Sequence, residues 1–108
     1  MKTVRTLIQR LAAFEDHLSD FVRKEVSARL ASVILRLCEH QSIVTANGKR
    51  MIPTRYTHRQ LASLVGANRE AVTRALGELK NAGVVEIRNQ HIHVTDADAL
   101  ERFAEAVR

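Results

Sequence analysis

The run Asn68-Arg69-Glu70-Ala71-Val72-Thr73-Arg74 places two guanidinium groups and one carboxylate within two helical turns. At helical spacing, positions 69, 70, 73, 74 and 77 fall on one side, opposite apolar Val72, Ala75, Leu76 and Leu79. An arginine grips O6 and N7 of guanine with two hydrogen bonds, and a glutamate accepts from N4 of cytosine. Arg69, Glu70, Thr73 and Arg74 are therefore candidate base-reading residues on a helix end that enters a major groove. The plainer alternative is an i, i+4 ion pair of Glu70 with Arg74 on a solvated face, which requires no ligand.

A helix used this way needs fixed ends, and the flanking residues supply them. Thr57-x-x-Gln60 is a capping box, with Tyr56 and Leu61 at the two positions of a hydrophobic staple. The helix it opens has Leu61, Ala62, Leu64 and Val65 as its apolar face. Gly66 in Val65-Gly66-Ala67-Asn68 suits the left-handed residue of a tight turn, and Asn68 is a strong N-cap for the next helix. Gly83, after Lys80, stops that helix. In "VVEIRNQHIHV" the alternation of Val85, Ile87, Ile92 and Val94 predicts two short strands joined at Arg88-Asn89-Gln90. Thr95 or Asp96 then caps a short helix, Ala97 to Val107, with Leu100, Phe103 and Val107 apolar. Helix, glycine turn, helix and hairpin in this order predict a winged helix-turn-helix, mainly α with a small β component (α+β).

Upstream, Val4, Leu7, Leu11, Phe14, Leu18 and Phe21 alternate by three and four, a heptad seam that ends at Glu25. A second copy of the helix is the economical partner for that seam; packing on its own domain is the alternative. A second pattern starts at Val26 and continues through Leu30, Ile34, Leu37 and Cys38, with Val33 at its border. The change of register predicts a bend near Lys24-Glu25 between two helices, with Ser27 as a possible cap. Asn47-Gly48, between Ile43-Val44 and Met51-Ile52, predicts a small hairpin that Pro53 ends. The expected division is a dimerisation helix over 1–25 and a winged helix-turn-helix domain over 26–108.

With 108 residues the chain suits one domain plus an appended helix. Its net charge of +5 and pI near 10.1 suit a polyanionic partner, nucleic acid or an anionic membrane surface, with a merely soluble basic protein an equal alternative on charge alone. The single cysteine excludes an internal disulfide and fits a reducing cytoplasm. Charges interrupt every apolar run near the N-terminus before signal-peptide length, and none approaches the roughly 18 residues of a membrane span. Cys38 and His40 lie two apart on a helix and face different ways, so no metal or cofactor is expected and Cys38 reads as a small core residue. His58, His91 and His93 have no nucleophile or paired carboxylate beside them in the pattern, which argues against an enzyme.

The stretch "YTHRQLASLVGANREAVTRALGELKNAGVV" is similar to the DNA-binding domain of the cAMP receptor protein/FNR (Crp/Fnr) family. "SARLASVILRLCEH" resembles that family's first helix after the hinge, and the heptad helix resembles the tail of its dimer helix. The resemblance implies base reading by Arg69, Glu70 and Arg74, with Thr73 where members vary. It implies phosphate contact by Thr57, His58 and Asn68, and backbone contact by the wing at Asn89, Gln90 and His91. Arg59 and Arg88 join the backbone candidates by charge and position; Gly77 occupies a place where a basic residue would reach a phosphate. A GTGA-like half-site, a palindromic operator, a homodimer and RNA polymerase as a further partner follow from the same resemblance. The family's effector-binding β-roll lies outside it, and no Gly-rich phosphate cradle or cysteine cluster is present, so no effector is implied.

The expected function is a homodimeric, sequence-specific transcription regulator with a recognition helix at about 68–82 and a wing at about 84–95. Two other readings compete. One is a coiled-coil module that pairs with a full-length relative or other partner; the other is an unspecific basic nucleic-acid binder.

Overall fold

The computed structural model describes the backbone of residues 2–106 and the side chains of residues 22–106. In chain order the elements are α1 (Lys2–Gln41), β1 (Ile43–Val44), β2 (Arg50–Ile52), α2 (His58–Val65), α3 (Arg69–Asn81), β3 (Val85–Arg88), β4 (His91–Val94) and α4 (Ala97–Glu105). The heptad residues Val4, Leu7, Leu11, Phe14, Leu18 and Phe21 lie outside the described side chains, and Val107 lies outside the described residues.

Where spacing predicts two helices and a bend at Lys24-Glu25, α1 is one uninterrupted helix of 40 residues. Residues 2–41 contain neither glycine nor proline, so the hydrogen-bond ladder has no cause to break. Ser27 therefore caps nothing. It is buried mid-helix, and its Oγ donates to Oε2 of Glu78 on α3 at 2.7 Å. Val26, Leu30, Val33, Ile34 and Cys38 form the buried stripe of α1, which packs on α3 and α4.

The core is aliphatic. Leu30, Ile34, Ile52, Leu61, Val72, Leu79, Val84 and Leu100 are its largest fully buried side chains. On α2 the buried face is Leu61, Ala62 and Val65, whereas Leu64 is 52% exposed. At 100° per residue Leu64 points about 100° away from the centre of that face, which removes it from the expected apolar set.

The two expected hairpins are one sheet. All its pairings are antiparallel, in the order β1-β2-β4-β3. Arg50↔Val94, Met51↔His93 and Ile52↔Ile92 join the first hairpin to the second, and Ile52 and Ile92 both turn into the core. Pairing one edge with the other satisfies main-chain groups that two separate hairpins would leave to water. In the first hairpin Gly48 has φ 76°, its N–H donates to Thr45 O at 2.9 Å, and Thr45 N–H donates to Lys49 O at 2.8 Å. That is a three-residue loop with glycine in the left-handed position. The second hairpin turns on Asn89 and Gln90, both with positive φ (52° and 66°), the geometry of a two-residue type I′ turn.

Candidate nucleic-acid interface

Local chemistry fixes the start of each helix in the pair. Thr57 Oγ1 accepts from Gln60 N–H at 3.0 Å, and Thr57 N–H donates to Gln60 Oε1 at 2.8 Å, so the capping box is complete. Gly66, at φ 78°, ends α2 and returns its N–H to Ala62 O at 2.8 Å. Asn68 Oδ1 accepts from Ala71 N–H at 2.7 Å and starts α3. Val72, Ala75, Leu76 and Leu79 anchor the inner face of α3. Its far end closes through Gly83 N–H to Lys80 O and Val84 N–H to Leu79 O, the paired bonds of a Schellman cap. Gly83, just past the cap residue Ala82, is left-handed at φ 75°.

With α3 held on one face and at both ends, its outer face is exposed. Arg69, Glu70, Thr73 and Arg74 are exposed, and with Thr57, His58 and Arg59 they line one open hollow of about 850 Å³. Among the described residues, no hydrogen bond or ion pair engages the side chains of Arg59, Arg69, Glu70 or Arg74. The solvated Glu70–Arg74 pair that would account for these charges is thus not formed. Glu70 lies in the first turn of α3, where the helix dipole favours a carboxylate and helps it lie between two cations.

Thr73 is different. Its hydroxyl donates to Arg69 O at 2.9 Å and lies 2.7 Å from Nδ1 of His58. His58 is half-buried between α2 and α3.

On the wing, Asn89 and Gln90 are exposed at the tip, while Arg88 pairs with Glu86 at 3.1 Å. At this exposure that pair is weak and leaves Arg88 able to swing away. His91 is held inward: Nδ1 is 3.2 Å from Ile52 O, and Nε2 accepts from Arg55 Nε at 3.4 Å. Because a carbonyl only accepts, Nδ1 carries the proton and both ring nitrogens of the neutral imidazole are satisfied within the protein. Arg55, which no sequence motif singles out, is exposed at this point and has no acidic partner among the described residues. The signal for it is positional: a cation two residues before the Thr57 cap. Arg55, Thr57, His58 and Gln90 border a second hollow of about 280 Å³, so the start of α2 and the wing tip look onto one side of the molecule.

Cys38 is buried in the core, as its pattern implies. Among the described residues no group of three His, Cys, Asp or Glu is placed to hold a metal ion, and no helix is long and apolar enough to cross a membrane.

Residues 28–103 match the model of the Crp-like helix-turn-helix domain. Over 102 residues, 94% of the chain, the sequence is 30% identical to a CRP-like cAMP-activated global transcriptional regulator of Mycobacterium tuberculosis. It is 28% identical over 102 residues to a global nitrogen regulator of a Nostoc species. In both cases the match spans 45% of the relative's length, so the chain corresponds to about half of each. The crystal structure of the Thermus thermophilus catabolite activator protein superposes with a TM-score of 0.79 at 27% identity, covering 97% of this chain and 46% of that one.

Proposed function

Since the chain belongs to the family of Crp-like helix-turn-helix domains, we propose that it binds duplex DNA sequence-specifically and regulates transcription as a homodimer. The observation that carries this reading is the unpaired set Arg69, Glu70 and Arg74 at the capped start of α3, in one hollow with the start of α2. In a major groove the two guanidinium groups read guanines and Glu70 accepts from a cytosine, which suits a GTGA-like half-site. Thr57, Arg59 and Asn68 hold the strands from the α2–α3 side; Arg88, Asn89, Gln90 and Arg55 hold them from the wing side. His91 contributes less than its position in the pattern implies, because its ring is spent on Ile52 and Arg55.

The division at residue 25 belongs to the same proposal: residues 1–25 pair two copies and residues 26–108 bind. Two subunits on a palindromic operator read half-sites centred roughly 34 Å apart. Such a regulator works with its DNA in the cytoplasm and has RNA polymerase as its further partner. Selection of bound sites from a random duplex pool tests the reading. The expected result is a symmetric motif bound at least about a thousandfold more tightly than random duplex at physiological salt. Absence of enrichment defeats sequence reading and leaves the unspecific binder. An enriched half-site without symmetry, together with a monomer by light scattering, favours the module that pairs with another chain.

A further inference from the structure

We propose that Thr73 is a positioning residue for His58 rather than a base reader, and that the pair makes a phosphate contact available only to the protonated imidazole. The proposal rests on the DNA-binding reading above. The Thr73 hydroxyl has one proton, and Arg69 O, a carbonyl 2.9 Å away, can only accept it. His58 Nδ1 lies 2.7 Å from the same oxygen. Both bonds form together in one arrangement: Thr73 donates to Arg69 O, and Nδ1–H of His58 donates to Thr73 Oγ1. The neutral ring then has a bare Nε2.

A bare Nε2 and a phosphate oxygen are both acceptors, so no hydrogen bond joins them. Once protonated, the ring donates from both nitrogens, and Nε2–H makes a charge-assisted bond to phosphate. Nε2 has no partner among the described residues. The charged groups around the ring are Arg55 ahead of α2, Arg59 on α2, and Arg69, Glu70 and Arg74 on α3; the wing adds the neutral Gln90. None of them is bonded to it. His91, the other imidazole on this side, is committed to Ile52 and Arg55. Thr73 in turn has no free proton to offer a base edge.

The consequence is proton uptake at His58 when DNA binds a chain whose His58 ring is neutral. Affinity is then highest at low pH and falls as pH rises, by at most about tenfold per pH unit for one proton. The test measures Kd between about pH 6 and pH 8.5 at constant ionic strength, around the ordinary imidazole range. The proteins are the unaltered chain, Thr73→Ser, Thr73→Val and His58→Gln, on the selected duplex and on its single-base-pair variants. The chain and Thr73→Ser should weaken with rising pH, and His58→Gln should lose that component. Thr73→Val frees the ring to move its proton to Nε2, so its profile should flatten through tighter binding at high pH. A Thr73→Val protein with an unaltered pH profile and a changed preference at one base pair would show that Thr73 reads a base. A His58→Gln protein with the parent's profile would place the titration elsewhere, on His91 or His93. Failure to discriminate selected from random duplex at every pH defeats the DNA-reading proposal itself, whereas normal discrimination with no pH response defeats this one alone.

Discussion

Arg59 and Arg74 line the same hollow, yet the proposed function assigns them different tasks, and truncating each tests that assignment. Arg59 is the second residue of α2, beside the Thr57 cap; Arg74 projects from the outer face of α3 beyond Arg69 and Glu70. Neither side chain makes a hydrogen bond or ion pair among the described residues. Alanine at either position therefore removes no internal hydrogen bond or ion pair, and at these exposed sites stability should change by less than about 0.5 kcal/mol. The whole effect should appear in DNA binding. Loss of a bidentate guanine contact costs about 1–3 kcal/mol, which is about 5- to 150-fold in affinity. Arg74→Ala should show that loss on the preferred duplex and little on duplexes already altered at the base pair it reads. Loss of one phosphate contact instead flattens the slope of log K against log salt by about 0.9. Across a fourfold rise in salt, Arg59→Ala should thus lose about 3.5-fold less affinity than the parent, with unchanged base preference. Fluorescence anisotropy titrations at several salt concentrations, on the selected duplex and its single-base variants, resolve both quantities. Identical slopes and identical preferences for the two variants would refute the division into base and backbone contacts.

Three further outcomes are expected, two from the glycines of the helix pair and one from the heptad spacing. A Cβ added at Gly66 would meet nothing closer than Arg29 Nη2 at 3.7 Å, so Gly66→Ala should cost only the left-handed strain, about 1–2 kcal/mol in thermal or urea melts; an unchanged midpoint would mean that the turn re-forms without a positive φ. At Gly77 an added Cβ meets nothing within 4 Å, and Gly77→Ala in the middle of α3 should stabilise by about 0.5–1 kcal/mol; destabilisation would mean that the glycine is used for close packing. Replacing Leu11 and Leu18 together by Asp should yield a monomer by light scattering, because two charges enter the heptad seam; a surviving dimer would show that the subunits meet elsewhere.

The helix pair α2–α3 was legible because its punctuation is local. The Thr57–Gln60 box, the Asn68 cap, and glycines at positions 66 and 83 each act within a few residues of their own position, and each forms as its residue type requires. What stayed hidden is long-range. Ser27 and Glu78 are 51 residues apart, Arg55 and His91 36 apart, and His58 and Thr73 15 apart. Nothing in the spacing of either partner announces the other. The union of two hairpins into one sheet is hidden for the same reason: β2 reads as complete with β1, and only its register with β4 shows otherwise. The bend at Lys24-Glu25 was inferred from a change of apolar face, but a helix changes neighbours without changing backbone.

That last difference bears on how the arginines are aimed. The cap at Asn68 and the stripe from Val72 to Leu79 fix where α3 begins and which side is buried. Glu78 adds a lateral tie. It accepts from Ser27 at 2.7 Å through one oxygen and meets Arg23 Nε at 3.4 Å through the other, and both partners belong to α1. The Arg23 contact is solvated and contributes little by itself. The Ser27 bond matters more, because Ser27 is 2% exposed and without Glu78 its hydroxyl would have only the carbonyls of its own helix to turn to. Keeping that bond fixes the rotation of α3 about its own axis relative to α1. Arg74 lies one turn from Glu78 on α3, so the same rotation fixes the direction in which its guanidinium leaves the surface. The outer face of α3 is therefore oriented by the turn on one side and by the unbroken α1 on the other.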